Sequence, residues 1–435
     1  MEPRPSLASQ APTPADVLPG EAATLRAAQA ALAGEARGLR ALWPFLGPSF
    51  VAAVAYIDPG NFATNIAGGA KFGYLLVWVV VAASLMAMLV QTLSAKLGVA
   101  TGLNLAEACR DAFSTPVSIA LWIQAEVVAM ATDIAEVVGA AIGIKLIFGL
   151  PLFPAGVLAG AAAFAILGLQ RRGFRRLEAV IAVLVGVVAV AFGLQVFFVE
   201  PDGAEIARHI VPDLQGTESL LLATGILGAT VMPHVVYLHS ALTQNRIVGR
   251  DERERQVIQR YERVDVIIAM SMAGLVNLSI LAIAAAALFG TGVDEIPGAH
   301  DLLHAREGAA VAFLLGLALL ASGLSSSSVG TMSGQVVMQG FIRRRIPLFV
   351  RRAVTLAPAL IVIGSGTEPS RALVISQVVL SFGTPFALIP LIMLTGRREL
   401  MGTLVNSRVT RVAAVVIATL IVVLNVVLLG QLAFG

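Results

Sequence analysis

Tyr56-Ile57-Asp58-Pro59-Gly60-Asn61 interrupts an apolar run over residues 43–70, and Thr230-Val231-Met232-Pro233-His234 interrupts another over 218–245. Each run is long enough to cross a bilayer as a helix, which takes about 20 apolar residues. Each carries a proline near its middle, and proline removes a backbone donor and clashes with the preceding turn. Hydrocarbon offers no water to the carbonyls that such a break frees. Both runs are therefore expected to unwind locally, leaving carbonyls for a ligand, a water or a neighbouring helix to satisfy.

Outward from the breaks, further apolar runs cover 73–100, 116–149, 152–169, 178–199, 262–290, 308–341, 348–364, 369–395 and 409–433, eleven spans in all. The fold class expected is an all-α polytopic membrane protein. With 57% hydrophobic and 13% charged residues, the chain departs from soluble domains, in which roughly a quarter of residues are charged. Apolar runs that are continuous rather than alternating exclude a membrane β-barrel. The net charge of +3 signals no nucleic-acid partner, because the Lys and Arg residues lie in short loops, where they carry topology. All but Lys71, Lys145, Arg208, Arg306 and Arg371 of the 30 fall on one side, including Arg4, Arg171, Arg172 and Arg345. That bias puts the N-terminus in the cytoplasm and, with an odd span count, the C-terminus outside. Residues 1–42 lack the apolar core of a signal peptide and are expected to form a mobile cytoplasmic tail with one helical segment, Glu21 to Arg40. Cys109 is the one cysteine and is expected to be a small core residue.

The two broken spans open two five-span halves, 43–200 and 217–395, with the eleventh span, 407–434, appended. Five is odd, so the halves are inverted with respect to the membrane. Corresponding breaks in inverted halves point to a secondary transporter whose site lies at mid-membrane between them.

The first break offers the Asp58 carboxylate, the Asn61 amide and carbonyls such as that of Ala55; the second offers the Met232 thioether and the Ala229 carbonyl, four residues before Pro233. A carboxylate at bilayer depth costs about 2.5 to 3.5 kcal/mol unless compensated, so a cation is expected there. Oxygen ligands alone suit hard ions such as Mg²⁺ and Ca²⁺, whereas a soft sulfur shifts preference toward transition metals. Met232 is thus the discriminating residue. Glu126, Asp133 and Glu136 lie on one face of the third span, as a proton relay or a buried ion-pair network would require. Arg351, Arg352, His234 and His239 are the cations available to balance them.

Asp58-Pro59-Gly60-Asn61, Met232-Pro233-His234 and the stretch Ser325 to Phe341 together resemble the signature motifs of the natural resistance-associated macrophage protein (Nramp) family, and the similarity extends from about Leu42 to the last span. The resemblance is greatest to bacterial manganese importers. It implies a leucine-transporter-like fold and proton-coupled import of divalent transition metals, Mn²⁺ with Fe²⁺, Co²⁺ and Cd²⁺, as substrates and not cofactors. It implies metal binding by the side chains of Asp58, Asn61 and Met232, by the carbonyls of Ala55 and Ala229 in different conformations, and by Gln377 in an occluded state. It also implies a proton route from Asp58 through His234, Asp133, Glu136 and the span-nine arginines. Ser84 and Ala67 depart from residues frequent in the family, Asn and an acidic residue respectively, without touching the ligand set.

Rival readings remain open. A sodium-coupled symporter of organic acids on the same fold is disfavoured by Asp58, which would repel a carboxylate substrate, and a magnesium-selective relative by Met232. A membrane-embedded enzyme would need a HExxH or GxSxG motif, neither of which occurs. A channel differs in that its flux would neither saturate nor drive protons. No obligate protein partner is evident.

Overall fold

The computed structural model describes residues 19–169, 174–344 and 346–434. Residues 1–18 of the expected tail, Arg4 among them, and Arg171, Arg172 and Arg345 lie outside the described residues. Every long element among the described residues is an α-helix. In chain order these are α1 (Pro19–Leu32), α2 (Leu39–Leu42), α3 (Pro48–Ala55), α4 (Pro59–Phe72), α5 (Val77–Thr101), α6 (Leu105–Ala112), α7 (Thr115–Phe148), α8 (Leu152–Gly168), α9 (Phe174–Val199) and α10 (Gly203–Arg208). They continue with α11 (Gly216–Thr230), α12 (Pro233–Gln244), α13 (Glu252–Leu288), α14 (Ile296–Glu307), α15 (Ala309–Ile342), α16 (Leu348–Gly364), α17 (Pro369–Thr395), α18 (Arg398–Met401) and α19 (Arg408–Phe434).

The breaks fall where the prolines demand. α3 stops at Ala55 and α4 starts at Pro59; α11 stops at Thr230 and α12 starts at Pro233. Proline is tolerated at the first turn of a helix because the missing N–H has no intrahelical partner there. Eight helical stretches among the described residues are long and apolar enough to cross a membrane, one of them running from Pro59 to Thr101 through α4 and α5. The expected spans over 152–169 and 348–364 are the 17-residue helices α8 and α16.

α7 and α15 form the centre, packed along their lengths. Their contact depends on small residues: a Cβ added at Gly323 would lie 2.7 Å from the Ala140 backbone nitrogen. Close approach through small residues is how helices associate where lipid removes the hydrophobic incentive. α15 also buries Ser322 and the run Ser325 to Ser328, giving the centre hydroxyls. At the periphery, Val183, Val190 and Phe197 of α9 and Val412 and Val426 of α19 stand exposed, as lipid-facing side chains do.

One expectation needs correcting. Residues 19–42 do not form a mobile tail: α1 and α2 pack there, and Ala28, Ala31 and Ala41 are buried with Phe45, Val99, Ile247 and Ile258. Alanine makes the buried face, so hydropathy contrast is faint, although alanine is the best helix former. A ring stack of Phe45 on Tyr261, with centroids 4.6 Å apart, anchors this cluster to α13.

Candidate metal site

Ala55 and Ala229 each stand four residues before a proline. In a continuous helix their carbonyls would accept from residues 59 and 233, but proline has no N–H to give. The scaffold takes up the two carbonyls that follow Ala55. Asn277 of α13 donates Nδ2 to the Tyr56 carbonyl at 2.7 Å, and Ser322 of α15 donates Oγ to that of Ile57 at 2.5 Å. At the second break Thr384 of α17 donates to the Val231 carbonyl at 2.9 Å.

Asp58 caps α4. Its carboxylate accepts from the backbone N–H groups of Gly60 (3.2 Å) and Asn61 (2.9 Å), from Asn61 Nδ2 (2.6 Å) and from Gln377 Nε2 on α17 (3.3 Å). Asn61 reaches across to the second break: Nδ2 also donates to the Ala229 carbonyl at 3.2 Å, and Oδ1 accepts from Thr230 Oγ1 at 3.2 Å. Gln377 lies so close over α4 that a Cβ at Gly60 would sit 1.7 Å from its Nε2. Its other amide atom, Oε1, is buried with no hydrogen-bond partner. Met232 caps the start of α12, is fully buried, and packs in the same apolar cluster as Ala55, Tyr56 and Ile57.

Asp58, Asn61, Ala229 and Gln377 are thus brought into one hydrogen-bonded group, with Ala55 and Met232 at the same two breaks. Among the described residues no three His, Cys, Asp or Glu side chains converge as a metal cluster. The donors at the two breaks are instead one carboxylate, amides, carbonyls and a thioether, a mixture of hard and soft atoms that suits a borderline divalent ion.

The residues expected to carry protons divide into separate groups. Arg352, wholly buried, donates to Asp133 at 2.6 Å and to Thr331 at 3.3 Å, and contacts the Ser327 hydroxyl. Arg351 grips Glu126 at 2.7 and 3.3 Å, and Trp122 donates to the same carboxylate at 3.2 Å. Glu136, three residues after Asp133 on α7, is fully buried, and among the described residues neither of its carboxylate oxygens meets a donor. His234 shares a hydrogen bond with Thr132 at 3.2 Å through Nδ1, while its Nε2 has no partner. His239 does not join the carboxylates of α7: it bonds Gln91 (2.8 Å), which donates to the Tyr56 hydroxyl (2.6 Å), and Ser49 (3.3 Å). The arginines, not the histidines, balance the acidic face.

Thr230, Asn277, Ser322, Thr384 and Gln91 escaped the sequence reading. Each is a polar residue within an apolar run, and several have polar neighbours in sequence, such as Thr92 beside Gln91 and Ser325 to Ser328 after Ser322. Sequence alone does not say which of many buried hydroxyls and amides will meet a freed carbonyl.

A sequence family described as natural resistance-associated macrophage protein-like matches residues 49–431. The divalent metal cation transporter MntH of Bacillus subtilis (strain 168) is 55% identical over 407 residues, covering 93% of this chain and 96% of that protein. The transporter of the same name from Deinococcus radiodurans is 52% identical over 402 residues, with 92% of each covered. Among solved structures, the manganese transporter of Eremococcus coleocola, crystallised with an aromatic bis-isothiourea substituted compound, matches with a TM-score of 0.82 at 34% identity, covering 90% of this chain and 88% of that one. With the family match spanning both breaks and most of the chain, and with relatives aligned nearly end to end, this multi-pass membrane protein belongs to the natural resistance-associated macrophage protein (Nramp) family.

Proposed function

We propose that this chain is a secondary active transporter, not an enzyme, that imports divalent transition metal ions, Mn²⁺ foremost and also Fe²⁺, Co²⁺ and Cd²⁺, together with protons by alternating access. The reading follows the MntH relatives and the manganese transporter structure. The observation that carries it is the convergence of the Asp58 carboxylate and the Ala229 carbonyl on one group, the Asn61 amide. Two acceptors from opposite breaks facing the partly positive N–H hydrogens of one neutral amide offer the same surroundings to a cation. Asp58, Asn61, Met232 and the Ala229 carbonyl form the proposed ligand set, with the Ala55 carbonyl and Gln377 joining as the helix stubs move.

Asp58 binds a metal as the carboxylate, so a proton it carries must leave as the metal arrives. In the proposed route that proton passes by His234 and Glu136 to Asp133 with Arg352, and on to Glu126 with Arg351. From Glu136 to Glu126 is ten residues of α7, roughly 15 Å at 1.5 Å rise per residue. Glu126 is the partly exposed end of this series. His239, tied to Gln91 and Ser49, stands beside the first helix stub and off this line. The topology proposed with it has ten spans in two inverted halves and an eleventh appended, in a bacterial inner membrane, with the N-terminus inside and the C-terminus outside.

Uptake into proteoliposomes, followed for a panel of divalent ions with a pH-sensitive dye inside, tests substrate, coupling and carrier behaviour together. Saturable Mn²⁺ uptake that acidifies the lumen is expected. Asp58→Ala should abolish both signals, and substantial Mn²⁺ uptake by that variant would refute the site.

A further inference from the structure

A groove of about 580 Å³ lies between the inner stub of the first broken helix and α9. Trp43, Phe50 and Val51 form one wall, Ala182 and Gly186 the other, and Met272 of α13 the floor. One end is polar: Glu178 borders the groove and is bound by Arg246 at 2.7 Å, and Arg246 also donates to the Leu46 carbonyl at 3.2 Å. Two exposed arginines adjoin that end in sequence, Arg176 two residues before Glu178 and Arg40 three residues before Trp43. Trp43 is 72% exposed, an indole at the groove mouth of the kind that marks a membrane–water boundary. Val183 of α9 and Leu275 of α13, both exposed, lie on the flanking helices.

We propose that this groove binds one acyl chain of an anionic phospholipid from the surrounding bilayer, with Arg40 and Arg176 meeting its phosphate. An apolar slot at bilayer depth favours hydrocarbon over water, and guanidinium groups match phosphate oxygens in paired hydrogen bonds. Basic residues at the cytoplasmic surface also concentrate anionic lipid, so charge and wall chemistry select the same molecule. The wall formed by Phe50 and Val51 belongs to α3, whose last residue, Ala55, offers a carbonyl at the metal site. Any displacement of α3 from α9 changes the groove, and a fluid chain keeps it filled as it does so. The bound lipid therefore supports movement of the stub, and uptake rises with the anionic fraction of the membrane.

Native mass spectrometry of the purified full chain, titrated with phosphatidylglycerol or phosphatidylcholine of the same acyl chains, tests the site. The unmodified protein is expected to retain one phosphatidylglycerol several-fold more than phosphatidylcholine. Gly186→Phe fills the slot at a position where an added Cβ meets nothing within 4 Å, and it should lose the retained lipid. Ala182→Phe, also on the exposed face of α9, is the second such variant should the first misfold. Arg40→Gln with Arg176→Gln should bring phosphatidylglycerol retention down to the phosphatidylcholine level. Mn²⁺ uptake by the unmodified protein should rise on going from phosphatidylcholine vesicles to vesicles containing phosphatidylglycerol, and the groove-filling variants should lose that rise. Equal retention of the two lipids, or lipid retained undiminished by folded groove-filling variants, would overturn the proposal. Uptake in phosphatidylcholine vesicles alone separates such a result from failure of the transport reading.

Discussion

The side-chain amide of Asn61 points its nitrogen at Asp58 Oδ1 and at the Ala229 carbonyl, and its oxygen at the Thr230 hydroxyl; the orientation follows from those partners. In the proposed ligand set, a metal between the two acceptors would displace the N–H groups, and a half-turn of the amide would present Oδ1 as a further ligand. Asn61 would thereby be both the stand-in for the ion and one of its ligands, with Thr230 holding the amide in the first of these roles. The role proposed for the sulfur of Met232 is different, choosing among ions rather than closing the site. Hard ions gain little from a thioether, so its removal should cost transition metals more. For Met232→Ala we expect Mn²⁺ uptake to persist while Ca²⁺ competes roughly tenfold better, a difference of about 1.4 kcal/mol; unchanged Ca²⁺ competition would refute the filter. The placement of Asp58, Asn61 and Met232 at the two breaks was legible because each stands beside a proline within an apolar run. Thr230 and Asn277 were not, because a polar residue in a span declares a partner without naming it.

At the scale of elements, each break is an arrangement of one proline and one orphaned carbonyl four residues earlier. The helix stubs on either side stay in place because other helices cap them. Asp265 of α13 accepts from Gly47 N–H at 3.3 Å and Ser49 N–H at 2.9 Å, supplying from outside the cap that α3 lacks locally. The carbonyls after Ala55 are likewise held by Asn277 and Ser322, which leaves those of Ala55 and Ala229 for the proposed ligand exchange. Pro233→Ala returns an N–H to residue 233, and the Ala229 carbonyl then has an intrahelical donor. A hydrogen bond of about 1 kcal/mol now competes with the metal, so Mn²⁺ should bind several-fold more weakly while the fold is retained; calorimetric titration with Mn²⁺ measures this, and unaltered affinity would remove Ala229 from the ligand set. Arg352 and Asp133 tie α16 to α7 through a fully buried pair. Removing one partner of such a pair costs about 3–5 kcal/mol, whereas Asp133→Asn keeps an acceptor for Arg352 and cannot carry a proton. We expect that variant to fold, to retain Mn²⁺ binding, and to lose metal-stimulated proton entry. Proton entry at the unmodified rate would make the pair purely structural.

For the molecule as a whole, hydropathy and the placement of arginines made the helical plan legible, since bilayer thickness and the energetics of charge act directly on sequence. The packing of the cytoplasmic end was not legible in that way. α1 buries mostly alanines, with Leu25 the one large apolar side chain buried among its described residues, so a composition that looks like a solvated tail in fact covers Phe45, Val99, Ile247 and Ile258. These four belong to the approach to the first broken span, to α5, to the loop before α13 and to α13 itself. The cluster therefore fastens together, at one end of the molecule, segments that lead to the two breaks or pack beside them. Deleting residues 1–34 would expose that cluster without touching a ligand or a member of the proposed proton route. Burial contributes about 25 cal/mol per Å² of apolar surface, and small alanine contacts over a two-turn face amount to only a few kcal/mol. The truncated protein should accordingly unfold a few degrees lower in a thermal melt, while the stabilisation that added Mn²⁺ confers stays the same, because ligand binding shifts stability by mass action through the affinity alone. A melt identical to that of the full chain would mean that α1 contributes nothing to the fold, and a diminished Mn²⁺ shift would instead tie the cytoplasmic cluster to the geometry of the two breaks.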